Sequence, residues 1–179
     1  MRKFTMFAAA LAATTMVSGP VQAADKVDAT EIVLPAPAEN TGQVVFFRPA
    51  GMGGAVACSI HENDQKISSL GGGRYFVLET TPGRHEYTVK TESKDSLALE
   101  VESGERQWVA CKIKMGIIVG RPDIRPSTED EFRSAKKFAM VDDDDMNAEL
   151  GAMTSAAVQA RLNGGAAVEA EVEAEAAAE

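Results

Sequence analysis

Residues 97–115 read Leu-Ala-Leu-Glu-Val-Glu-Ser-Gly-Glu-Arg-Gln-Trp-Val-Ala-Cys-Lys-Ile-Lys-Met, and this stretch decides the fold class. Leu97, Leu99 and Val101 alternate with Ala98, Glu100 and Glu102. A period of two gives one apolar face, the mark of a half-buried strand rather than a helix. Ser103-Gly104 is a turn. Beyond it Val109, Cys111, Ile113 and Met115 share one face, and Trp108, Ala110, Lys112 and Lys114 share the other.

The same pattern recurs upstream. Val44-Val45-Phe46-Phe47 is a continuous apolar run ended by Arg48-Pro49, which predicts a strand covered on both faces. Val56, Cys58 and Ile60 alternate with Ala55, Ala57 and Ser59, and Asn63-Asp64 turns the chain. Lys66 to Leu70 is a short strand stopped by Gly71-Gly72-Gly73, and Tyr75 to Leu78 is the next. Thr81-Pro82-Gly83 turns again, and Tyr87 and Val89 alternate with Glu86, Thr88 and Lys90. About seven strands at roughly ten-residue spacing predict a mostly β domain, an antiparallel sandwich or small barrel. The helix-length connections that parallel strands use are missing between them.

Downstream the period changes. Thr128-Glu129-Asp130-Glu131 is a capping box, and Phe132, Ala135, Lys136 and Ala139 predict a helix over about 129–139. Phe132 and Phe138 are expected to pack on the sandwich, with Trp108 beneath this helix, an exposed patch being the alternative for Trp108. Asp142 to Asp145 ends this helix, because adjacent carboxylates oppose the dipole at its C-terminus. Leu150, Met153, Ala157 and Leu162 predict a weaker helix that stops at Gly164-Gly165. Ala166 to Glu179 contains only Ala, Glu and Val, and reads as a helical or disordered tail.

The beginning reads as an address. Arg2-Lys3, the uncharged run Phe4 to Val17, the breaker Ser18-Gly19-Pro20 and then Val21-Gln22-Ala23 are the parts of a signal peptide in order. Cleavage is expected after Ala23, with the bond after Ala24 as the neighbouring alternative. Ala24 is not a cysteine, so no lipid anchor is expected, and no apolar run reaches the ~18 residues of a membrane span. The expected organisation is a signal peptide over 1–23, a lead-in or linker over 24–41 with a short edge strand at Ile32–Leu34, a β-sandwich domain with a C-terminal helix over 42–140, and an acidic Ala/Glu-rich tail over 141–179.

Charge follows the same division. The 179 residues carry net −9, and removal of 1–23 makes that −11. Residues 24–128 hold 12 basic and 14 acidic side chains, whereas 129–179 hold 4 and 13. A near-neutral domain with an acidic extension is poorly suited to neutralising phosphates, so nucleic acid is excluded as a partner.

Cys58 and Cys111 lie mid-strand, in phase with inward apolar neighbours, and an exported chain oxidises such a pair. A disulfide is expected, two separate buried thiols being the alternative; a redox role lacks both a CxxC motif and an activating cation. His61, beside Glu62 and Asp64, and His85, beside Glu86, match no metal-ligand spacing. Neither has a nucleophile at a motif spacing. Gly71-Gly72-Gly73 before Arg74 lacks the Walker lysine and a following helix, so it reads as a turn. Gly51-Met52-Gly53-Gly54 reads as a loop at a sandwich end. The consecutive acids at 142–145 lack the alternation of a calcium loop. No catalytic, cofactor-binding or metal residues are therefore assigned.

Val45-Phe46-Phe47-Arg48-Pro49 with Gly53-Gly54, Leu70-Gly71 with Tyr75, Pro82-Gly83-Arg84-His85, and Gly104-Glu105 before Trp108-Val109 resemble the bacterial domain of unknown function 2846 family. The resemblance covers about 42–120. It implies an immunoglobulin-like or transthyretin-like β-sandwich in the cell envelope, without known catalytic residues. The lipoprotein members carry an acylated Cys that this chain lacks. The expected function is that of a non-enzymatic binding or structural module, periplasmic or secreted, whose partner is another envelope protein or a cell-wall component. The rival expectation is a periplasmic hydrolase.

Overall fold

A computed structural model describes residues 25–51, 56–90, 94–114 and 120–164. The expected signal peptide with its Ala23 and Ala24 junction, Met52-Gly53-Gly54 and the stretch from Ala166 onward lie outside these residues. All seven residues of β2 (Gly42–Arg48) are buried. The continuous apolar run earns this place because β2 sits inside a sheet covered on both sides.

That sheet has six strands in the order β1 (Val27–Asp28), β10 (Lys137–Met140), β5 (Arg74–Thr80), β2, β8 (Arg106–Lys114), β9 (Arg121–Ser127). A second sheet has the order β4 (Gln65–Leu70), β3 (Cys58–Glu62), β6 (Gly83–Lys90), β7 (Lys94–Val101). The protein is mostly β, a two-sheet sandwich, as its alternating runs predict. Between the sheets Phe46 stacks on Phe76, with centroids 5.0 Å apart, and meets Tyr87 of the opposite sheet edge-on at 5.0 Å. Each such buried aromatic contributes roughly 1.5–3 kcal/mol through removal of its surface from water.

The expected purely antiparallel pairing is corrected at two places. β2 runs parallel to β8, and β10 runs parallel to β5. The connection from β2 to β8 runs through β5 and all four strands of the second sheet, so no helix is needed. Ser103-Gly104 is a turn, as read, and it carries the chain from β7 to β8, between sheets, with Gly104 at φ +76° and its N–H donating to the Thr41 carbonyl.

β9 has no alternating apolar signature because Pro122 and Pro126 flank Ile124. N–H groups two residues apart point the same way along a strand. The two prolines therefore give up N–H groups on the side away from β8, where an edge strand tolerates the loss. Ile124 keeps its N–H and donates it to Asp95 Oδ2 of the facing sheet at 2.9 Å.

The expected helix over 129–139 is shorter. α1 spans Glu129–Ser134, and Lys137–Met140 is a strand. Thr128 caps α1 by accepting from the Glu131 N–H, but the Glu131 carboxylate turns to Arg125 and Ser127 instead of closing the box. On a helix Phe132 and Phe138 would lie about 120° apart. With the chain reversed after Ser134 they stack at 4.7 Å. Together with Phe47, Tyr75 and Trp108 they form an aromatic layer on the outer face of the six-stranded sheet, Trp108 lying 5.1 Å from Phe132. Trp108 is thus under α1, as expected.

Neither flank is an appendage. The lead-in forms no strand at Ile32–Leu34; the edge strand is β1, paired with β10, and Ala29 and Ile32 enter the core. Arginines hold the unpaired carbonyls that follow β1. Arg133 donates to Ala29 and Ile32, Arg106 to Pro35, and Arg161 to Ala36. At the other end, Met146, Ala152, Met153 and Val158 join the same core, so the boundary expected at 141 does not separate tail from domain. Among the described residues the second helix, α2, takes in 155–164. Leu150 and Met153 precede it because Gly151 breaks the chain at φ +90°, where a Cβ would stand 2.1 Å from the Glu79 carbonyl oxygen.

The run Asp142–Asp145 is a connection, exposed over Asp143–Asp145, where it forms one 3-10 turn. It carries the chain from the six-stranded sheet to the open edge of β4, where the Asn147 N–H donates to the Ile67 carbonyl at 2.8 Å. Asp142 pairs with Arg74, Asp143 accepts from the Ser155 N–H and hydroxyl, and Asp145 pairs with Lys66.

Candidate functional site

Three places concentrate chemistry, and strand register decides what each can do. The first is the cysteine pair. Cys58 begins β3 and Cys111 lies in β8, so the phase of the two alternating runs aims both side chains between the sheets. They are joined as a disulfide with Cα atoms 6.6 Å apart. Both are buried, which makes this an inter-sheet clasp without access for an exchanging thiol.

Four residues further along β3, at the opposite end of the strand, stands the second place. Glu62 pairs with Tyr87 across β3 and β6, so Glu62, His85 and Tyr87 share the inward face. His61 pairs with Thr88 and points the other way. The two histidines therefore lie on opposite faces of one sheet, and Glu62, adjacent to His61 in sequence, belongs to His85 in space. His85 Nδ1 is 2.7 Å from Glu62 Oε1, and Nε2 is 2.8 Å from the Thr81 carbonyl oxygen. Thr80 Oγ1 lies 3.4 Å from Nδ1 and 3.3 Å from Nε2. A hydroxyl equidistant from both ring nitrogens addresses neither lone pair squarely. Tyr87 stacks on His85 at 6.0 Å; burial, followed by the Glu62 carboxylate, pushes its hydroxyl far above the usual phenol range. Glu62, His85 and Tyr87 belong to the four-stranded sheet, and the set meets the end of β5 through Thr80 and the Thr81 carbonyl of the β5–β6 turn.

The third place is a groove of about 410 Å³ on the outer face of the six-stranded sheet. Its floor is Tyr75, Phe138 and Met140, which register places on one face. Ile32 and Val33 line it from the lead-in, and Val158 and Leu162 from α2. Val27, at 44% exposure, and Val33, at 67%, are the exposed large apolar side chains among the described residues, and both line this groove. Asp25 and Glu31 are the acids of its lining. Helix α2 is fixed as a wall by Arg161, whose guanidinium grips both Glu79 carboxylate oxygens at 2.8 and 3.0 Å.

Sequence reasoning found the cysteines and missed the other two places. The Glu62–His85 pairing needs the register of β3 against β6. The groove needs Val27, Val33, Val158 and Leu162, drawn from segments that read as linker and tail. Exposed valines outside any alternating run were the available signal.

Arg48, 3% exposed, donates to the carbonyls of Val56 and Leu70, and burial pushes its guanidinium below its ordinary value. Gly73, at φ +72°, turns the chain from β4 to β5 with its N–H on the Arg48 carbonyl, so the triple glycine is a turn, as read. Among the described residues no group of three or more His, Cys, Asp or Glu side chains is arranged to hold a metal ion, and no helix is long and apolar enough to cross a membrane.

Residues 38–122 match a family model described as "Protein of unknown function (DUF2846)". No curated protein and no solved structure matches the chain.

Proposed function

Starting from residues 38–122 as a DUF2846 domain, we propose that this chain is an exported, non-enzymatic binding module of the bacterial cell envelope and that it binds through the outer-face groove. The observation that carries this reading is the groove's composition. Its floor and walls are apolar, and Val27 and Val33 are exposed there, although the other large apolar side chains among the described residues are buried or partly buried. Apolar surface left bare on an otherwise well-covered domain marks a recognition site. Export is supported by the signal-like first 23 residues and by the Cys58–Cys111 disulfide, which persists in oxidising compartments.

The rival reading, a hydrolase, has the row Thr80–His85–Glu62 in its favour. Against it, Glu62 lies 2.7 Å from Nδ1 and the Thr81 carbonyl 2.8 Å from Nε2, both nearer than the Thr80 hydroxyl, which is therefore not the principal partner of either ring nitrogen. The groove, moreover, does not include these residues.

A photo-cross-linking residue placed at Val33 in the full chain, produced in a bacterium that exports it, tests the reading. Discrete adducts are expected from position 33 and not from the exposed Glu100 on β7. Equal labelling from both positions, or a chain that retains residues 1–23, would overturn it.

A further inference from the structure

Resting on the groove reading above, we infer that the groove's occupant is a basic, apolar extended segment of another envelope protein, with apolar side chains seated over Tyr75, Phe138 and Met140 and its cations on Asp25 and Glu31.

The argument is one of charge and shape. Most carboxylates of the described chain are engaged: Glu62 with His85, Glu79 with Arg161, Asp123 with Lys114, Glu131 with Arg125 and Ser127, Asp142 with Arg74, and Asp143 with Ser155. Asp25 and Glu31 have no hydrogen-bond or ion-pair partner among the described residues, and both are exposed in the groove's lining. A rim of two unpaired acids around an apolar floor complements alternating Lys/Arg and apolar side chains, and it repels acidic ones. An extended segment presents such alternation on two faces, one for the floor and one for the rim. β1 is also the outermost strand of its sheet, so an extended segment finds a strand edge beside the groove.

Two other occupants are disfavoured on the same ground. The chain's own residues 166–179 carry five glutamates and no cation, so seating them would bring like charges together. A second copy meeting this one groove to groove would oppose Asp25 and Glu31 to their own counterparts.

The test uses fluorescein-labelled heptapeptides, read by anisotropy on the full exported chain. A peptide alternating Lys and Val is expected to bind at least tenfold more tightly than one alternating Glu and Val, or one alternating Lys and Ser. Asp25→Lys with Glu31→Lys should weaken the Lys/Val peptide at least tenfold. Glu86→Lys with Glu100→Lys, the same charge change on the exposed outside of the other sheet, should leave it within about twofold. Equal loss from both double variants would reduce the effect to general attraction by an acidic protein and overturn the inference, as would equal binding of the Glu/Val peptide. A dimer in sedimentation that Val33→Glu separates would also overturn it, in favour of a second copy. If the peptides fail while Val33 still cross-links discretely in the envelope, the partner class is wrong and the groove reading stands. If Val33 gives no adduct, the groove reading falls.

Discussion

Residues 38–122, which match the family, and the two flanks, 25–37 and 123–164, are built by different means. The matched part follows the rules of a sandwich: alternating strands, an inner aromatic core on Phe46, Phe76 and Tyr87, and a disulfide between the sheets. The flanks alternate nowhere. They are held by arginines on bare carbonyls, by two short helices, and by one aromatic layer that they share with the matched part. The consequence is a division of labour. The matched part supplies the frame, while the groove is lined by Asp25, Val27, Val33, Phe138, Val158 and Leu162, with Tyr75 the single contribution from the matched span. Relatives sharing only the frame therefore need not share this groove.

The strongest way to break this comparison is to show that the flanks are dispensable. Phe132→Ala removes the ring that Phe47, Tyr75, Trp108 and Phe138 surround. It should cost about 3–5 kcal/mol by urea denaturation, as much as an inner-core deletion. A loss below about 1 kcal/mol would make the C-terminal flank a loose cover. Next in size is the clasp. Cys58→Ala with Cys111→Ala opens a loop of 53 residues and should cost about 4 kcal/mol on the chain-entropy account. Because frame and flanks share one core, the transition should stay single and Trp108 fluorescence should follow backbone dichroism through it. Two separated transitions would mean that frame and flanks fold as independent units.

How much of this was legible in the sequence follows the same line. The run Val44–Phe47 and the alternation from Leu97 to Ile113 announce their strands because each has a clean period and a defined cover. β9 was silent, since Pro122 and Pro126 remove the apolar alternation while sparing the ladder to β8. β10 was misread: Phe138, Ala139 and Met140 fit a helix locally, and only pairing with Arg74 and Tyr75, more than sixty residues away, makes them a strand. The acidic run at 142–145 is exposed over Asp143–Asp145, but the partners that place it, Arg74, Lys66 and Ser155, lie beyond any local window. Of the three chemical places, the disulfide alone could be read, since two in-phase cysteines need only the sandwich to meet. The His85 cluster depended on register, and the groove on tertiary packing of segments without periodicity.

The smallest expected effect probes the junction between frame and flank. Glu131 in α1 accepts from Arg125 of β9, which lies just beyond the matched span, and from Ser127, with Lys112 of β8 also near at 3.7 Å. The Arg125 hydrogen bond, chief among these, holds the Glu131 carboxyl below its ordinary value of 4.5. The folded state then binds this proton less readily than the unfolded chain does. The stabilisation is accordingly complete above the ordinary glutamate range and is lost as pH falls through the depressed value. Because Glu131 sits at the surface with about a third of its side chain exposed, at 30%, the gain is discounted to that of a surface pair, below about 1 kcal/mol. Glu131→Gln should therefore lower the melting temperature by a few degrees at neutral pH, and the gap to the native chain should close as pH is taken below 4.5. A gap that stays constant with pH would show that α1 is held on the six-stranded sheet by packing of Phe132 alone, and that the charge at the seam contributes nothing to holding the flank on the frame.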